Sequence, residues 1–211
     1  VTTVPTENLA STSESMCAVV KGYSIEMRNS DNPEERFGIP LDTPLFHWFS
    51  DRDRTRQLTR WLADTLGVGA QDARNAIAQA DAAQDSFHRQ MAEAGEKVVA
   101  EAEAHGSYAV VLASRPYHAD PLVNHNLPEL FAAQGIPVLP PDAVPGVNEV
   151  DLSRSRLDIV NNFHARMLGS ALIAAGNPAL EYVQLVSFGC GHDAYLSDEI
   201  KRLMALASHK T

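Results

Sequence analysis

The chain has 211 residues, 45% of them apolar and 21% charged, and a formal net charge of −10. That is the composition of a globular protein with room for one large α/β domain, or one domain and a helical extension. The acidity, with no Lys/Arg stripe of the kind that follows nucleic acid, argues against a nucleic-acid surface. No apolar run approaches the ~20 residues that span a bilayer, and no signal-peptide pattern opens the chain, so no membrane partner is expected. Two cysteines, Cys17 and Cys190, make no disulfide framework; they predict free thiols in a reducing cytoplasm, acting as core filler or as ligands. The chain opens on Val1 and a polar "VTTVPTENLASTSES", which reads as a piece of a longer protein.

Three regions follow in order. Residues 1–49 lack sustained periodicity, and "NSDNPEERFGIPLDTP" reads as loops with short elements. Residues 50–107 are helical. Ser50 caps a first helix with Asp53 in its opening turn and Leu58, Trp61, Leu62 and Leu66 along one face, stopping at Gly67. Ala73, Ile77, Ala80, Phe87, Met91, Ala94, Val98 and Ala102 then mark a long amphipathic helix of roughly 50 Å with a break near Gly95.

Residues 108–211 alternate between short apolar runs and helical patterns. "YAVVLA" and "IPVLP" are two strands, separated by a helix in "LPELFAAQG" with Asn126 as its N-cap. "SRSRLDIVNNFHARMLGSALIAAGNP" is a second helix and "YVQLVSF" a third strand. "LSDEIKRLMALA" closes the chain as a helix capped by Ser197, with Asp198 and Glu199 in its first turn. This β-α-β-α-β-α order, with strands near 109–113, 137–139 and 182–187, predicts a three-layer α/β unit. It would be half of a Rossmann-like fold with a short parallel sheet, preceded by the long-helix segment.

Open parallel sheets bind ligands beyond the carboxyl ends of their strands. Here those ends carry "SRPYHADPLVNHN", "PPDAVPG" and "GCGHDAY", and the first and third loops gather Arg115, Tyr117, His118, Asp120, His125, Cys190, His192 and Asp193. Gly189 and Gly191 let the backbone turn and let a bulky group approach Cys190. Exposed backbone amides around such a thiol favour the thiolate, the form that binds metals or attacks electrophiles. The blander readings stand beside these. Either cysteine can be a small buried hydrophobe, the histidines can be hydrogen-bonded loop residues, and Arg115 can serve a neighbouring helix. His88, His105, His164 and His209 fall in or at the ends of helices and suggest no role. P-loop, GxGxxG, CxxC and HExxH patterns are absent, so neither ATP by a P-loop nor a dinucleotide by the Rossmann fingerprint is expected.

"SRPYHADPLVNHNLPEL", "GIPVLPPDAV" and "VQLVSFGCGHDA" together resemble the 2-hydroxyacyl-CoA dehydratase activase-related proteins, over about Cys17 to Leu206. These are multidomain proteins of anaerobes. "MCAVVKGYSIEMRNSDNPEERFGIPLDTP" resembles the family's first cysteine segment, with Ala18 and Ser24 where prolines are usual; Ser114 and His192 are further departures. The resemblance implies an iron–sulfur cluster, 4Fe-4S in type, used for one-electron transfer. Cys17 and Cys190 would be its ligands, Gly189 and Gly191 would line it, and Arg115, Tyr117, His118 and His192 would be the catalytic candidates. Two cysteines do not complete four ligands. The rest of the multidomain chain, with its ATPase and dehydratase-like parts, is the implied partner, and a CoA thioester the implied substrate. Two rivals remain open: a binding or structural module that holds an anion through Arg115 and the helix start near Asn126, and a zinc site of Cys190, His192, His118 and Cys17.

Overall fold

The structure is a computed structural model that describes residues 18–46, 50–157, 162–187 and 189–207. Contacts divide the chain into a unit that ends at Asp85 and one that runs from Ser86.

In the first unit, α1 (Ala18–Ser30) and the five-residue α2 (Pro33–Phe37) stand where the sequence suggested mostly loop. Asn32 starts α2 by accepting from the Glu34 N–H, and Gly38, at φ +67°, closes it in a left-handed conformation, so local capping outweighed the missing periodicity. The helix α3 (Asp51–Leu66) begins and ends as expected, at Ser50, which accepts from the Asp53 N–H, and at Gly67. Arg54 makes a two-pronged bond to Asp81, 2.7 Å on each arm, and Trp61 Nε1 donates to Asp42 at 2.8 Å.

The helix α4 (Ala70–Ala104) runs unbroken for 35 residues, which corrects the expected break at Gly95. This glycine is a contact residue. A Cβ there would lie 1.7 Å from the Ala143 carbonyl oxygen, so only hydrogen lets the loop after the second strand close onto the helix.

The second unit holds a three-stranded parallel sheet in the order β2-β1-β3, made of β1 (Ala109–Ala113), β2 (Val138–Leu139) and β3 (Leu180–Gln184). Val110 aligns with Val138 and Glu181, and Val111 with Leu139 and Tyr182. All five β1 residues are buried, as the unalternating apolar run requires of a central strand. The third strand starts at Leu180, two residues before the expected span, because Asn177 Oδ1 accepts from Ala179 N–H and launches it early.

Three short elements follow β1: a 3-10 turn (Pro116–Ala119), α5 (Pro121–Asn124) and α6 (Leu127–Ala132). Asp120 caps α5 through Leu122 N–H, whereas Asn126 sits at φ +57° before α6 without a side-chain capping bond. The helix α7 is described as Asn162–Gly176 and α8 as Gly191–Ala207. Residues 153–157, expected inside the helix before β3, form a turn and a bend. The last helix starts six residues before its expected cap. Ser197 lies within it and donates to the Asp193 carbonyl, a common use of an in-helix hydroxyl.

Alternate β1 residues face the same side. Ala113 joins Leu152, Met167, Leu168, Leu196, Ile200 and Leu203 in one core cluster. Ala109 and Val111 join a second, with Leu139, Val144, Ala174 and Leu180, onto which Met91, Val98 and Val99 of α4 pack. Val110 and Leu112, on the opposite face, are equally buried, and α6 packs beside β2. No described helix is long and apolar enough to cross a membrane.

Candidate functional site

With β1 between its two neighbours, the chain leaving β1 turns towards β2, and a crevice opens between the loops that follow β1 and β3. This is the topological switch point at which open α/β sheets hold ligands. Arg115 enters it two residues beyond β1. It is 5% exposed, and its partner Asp193, in the first turn of α8, is 2% exposed. Arg115 donates to Asp193 Oδ1 from Nε (2.9 Å) and from Nη2 (2.7 Å). The other carboxylate oxygen accepts from Ser187 N–H at 2.8 Å. Both residues stay charged. Burial works against the Arg115 charge, but the Asp193 bonds outweigh it and raise the guanidinium further. Burial likewise pushes Asp193 up, yet Arg115 and the Ser187 amide hold it below the ordinary carboxylate range.

The same Nη2 reaches Cys190 Sγ at 3.3 Å and lies 3.4 Å from His164 Nε2. Cys190 is half-buried and is the free thiol among the described residues. Its N–H donates to the Ser187 carbonyl, and its carbonyl accepts from Ala194 N–H, so it occupies the N-cap position of α8. Gly189 turns at φ +77°, and a Cβ at Gly189 or Gly191 would meet nothing within 4 Å. The space beside the thiol is a cavity of about 420 Å³ walled by Val186, Ser187, Asp193, Ala194 and Ser197.

His118 is buried. Its Nδ1 accepts from Arg115 N–H at 3.3 Å, which leaves Nε2 as the protonated nitrogen that donates to Ser187 Oγ, also at 3.3 Å. A ring that donates to a hydroxyl does not deprotonate it, so this pair is not a serine nucleophile with its base. Tyr117 bonds the same hydroxyl through its phenol, and its ring meets that of His118 at a tilt of 60°, centroids 4.3 Å apart. Burial, then the Arg115 charge, lower the His118 pKa.

His164 is the residue the sequence passed over. It is buried in α7, and burial, then Arg115 and His192, bring its pKa down to about 4. A histidine inside an apolar helical stripe carries no local signal; only the packing of α7 under the crevice brings it to Arg115. Ser187 was missed too, as an ordinary strand-end residue. Exposed His192 meets the His164 ring edge-on at 5.7 Å. Asp120 and His125 serve the ends of α5. Cys17 lies outside the described residues.

The two rival readings find less here. Arg115 turns inward and α6 has six residues, so neither feature presents an anion site. Both ring nitrogens of His118 are engaged. Among the described residues, which leave out Cys17, no three His, Cys, Asp or Glu side chains assemble into a group that could hold a metal ion, and this bears on zinc and on an iron–sulfur cluster alike.

A short open parallel sheet with charged and thiol groups gathered at its switch point defines an α/β unit whose reactive side chains stand where such folds hold ligands. The chain belongs to the family described as the CoA enzyme activase uncharacterised domain (DUF2229), whose model matches residues 1–144. That match takes in Arg115, Tyr117 and His118; the Cys190 loop follows it. No curated protein and no solved structure matches the chain.

Proposed function

We propose that this chain contributes one edge of an iron–sulfur centre, 4Fe-4S in type, to a CoA enzyme activase-type protein. There it serves electron transfer towards a CoA thioester or a similar low-potential acceptor, in a reducing cytoplasm. The observation that carries this reading is the bond from the buried Arg115 guanidinium to Cys190 Sγ, at a thiol that opens on a cavity. The donor set fits one ligand position, since the sulfur is reachable and its glycine neighbours keep side chains out of the way. The remaining ligands would come from Cys17, from other parts of the natural multidomain protein, or from a non-thiolate group.

Bound there, such a centre would supply one-electron redox chemistry. Arg115 donates to the sulfur and would orient it as a ligand. Asp193 holds that guanidinium in place. Tyr117 and His118 after β1 and Ser187 after β3 form a hydrogen-bonded rim between the two loops.

Anaerobic iron and sulfide analysis of the intact natural protein tests the reading. Cys190→Ser should lower bound iron while changing stability by no more than ~1 kcal/mol, since a half-buried thiol contributes little packing. Unchanged iron with a loss of about 1–3 kcal/mol, the cost of an unpartnered buried hydroxyl, would reduce Cys190 to packing and end the proposal.

A further inference from the structure

The first unit carries a second concentration of charge that the site above does not use. A groove of about 610 Å³ runs along α3 and reaches the first turns of α4, with Arg52, Arg56 and Arg60 along one wall and Arg74 opposite. The three α3 arginines recur every fourth residue and so form one row about 12 Å long. In the sequence they alternate with Asp51, Asp53 and Arg54; the helix turns Arg54 away to Asp81. Arg56 meets Asp53 at 2.6 Å and Arg60 stands 3.6 Å from Asp64, while Arg74 bonds the side-chain amide of Gln71. Four guanidinium groups therefore share a groove with two carboxylates, Asp51 and Asp64, in a chain whose net charge is −10. The floor between them includes Thr55 and Thr59. Thr59 Oγ1 is shielded from solvent and has no hydrogen-bond partner among the described residues, so the polar reach of the groove comes from its arginines and from Thr55.

We propose that this groove binds a small anion that carries several phosphoryl groups. Every cation in it is an arginine, whose planar fork pairs with phosphate oxygens two at a time. The Thr55 hydroxyl adds a donor, and the volume lies within the range of small-molecule sites. Asp51 and Asp64 stand at the two ends of the row and cut the positive stretch short, which suits a compact polyanion and disfavours a long acidic helix.

Titration calorimetry of the chain with inorganic tripolyphosphate, in phosphate-free buffer, tests this. Saturable binding is expected. Joint Arg52→Gln, Arg56→Gln and Arg60→Gln replacement should weaken it at least about tenfold, as the loss of several charge-assisted bonds requires. A control with the same change in net charge, Arg28→Gln, Arg36→Gln and Arg89→Gln, should leave it within about twofold, because those exposed side chains lie outside the groove. ATP distinguishes the sources: tighter binding than tripolyphosphate means a nucleotide, equal binding an inorganic chain. No saturable binding, equal weakening in the two triple variants, or capture of a glutamate-rich peptide that tripolyphosphate does not displace would each overturn the proposal.

Discussion

Arg115 and Asp193 are each useful only while the other is present. Both are buried, so removing one charge strands its partner away from water. Asp193→Asn should therefore destabilise the second unit by about 3–5 kcal/mol, the usual cost of breaking a buried ion pair. Amide exchange in β1 measures it, and a loss under ~1 kcal/mol would mean that the pair is open to solvent. Arg115→Lys keeps the charge and gives up the fork. It should lose the joint grip on Asp193 and Cys190, seen as a changed alkylation rate of Cys190 at a fixed pH; an unchanged rate would detach Arg115 from the thiol. His164 gives a pH signature. Its folded pKa of about 4 lies below the ordinary 6.5, so the unfolded chain binds the proton first. The resulting stability is fully present above pH 6.5 and is lost as pH falls towards 4. His164→Gln should flatten that slope in the β1 amides, and an unaltered slope would assign it to other groups, His118 first.

At the scale of elements, two glycines in helices predict opposite outcomes. Gly95 of α4 has the Ala143 carbonyl against it, whereas Gly22 of α1 has nothing within 4 Å of its Cβ position. Gly22→Ala should stabilise α1 by about 0.5–1 kcal/mol, from backbone entropy alone. Gly95→Ala gains the same propensity but must push the loop off the helix, so a net loss of about 1–3 kcal/mol is expected. Thermal melts of both variants check this; a neutral Gly95→Ala would mean that the α4 contact yields freely. A sequence window cannot separate the two glycines, because what distinguishes them is a carbonyl 48 residues away. The same limit explains the last helix. Capping chemistry predicts its start at Ser197, but Cys190 and Gly191 open it, after the turn at Gly189.

For the second unit as a whole, the acid limb of stability turns on Glu199. It is 1% exposed, accepts twice from Arg202, and takes both the backbone N–H and the guanidinium of Arg156. Arg202 first, then Arg156, bring its pKa to about 2 against burial, which pushes the other way. This ties the turn before α7 to α8. A depressed carboxylate stabilises above its unfolded pKa and is lost as pH falls, so stability should drop between pH 4.5 and 2. In Glu199→Gln that drop should shrink; parallel curves for the two proteins would exclude Glu199 as the cause.

Sequence alone determined the elements whose causes are local. Three short apolar runs split by helical stretches specify a parallel sheet, and Ser50 and Gly67 bound α3, because periodicity and capping act within a few residues. It also placed Arg115, His118 and Cys190 beyond strand ends, since that follows from the order of elements. Only tertiary structure decided who their partners are. Arg115 meets Asp193 across 78 positions and His164 across 49, and no local pattern encodes a contact at that separation. The spacing of Arg52, Arg56 and Arg60 was legible in the sequence, but that Arg54 turns to Asp81 and that Arg74 lines the same groove was not, because both depend on a neighbouring helix.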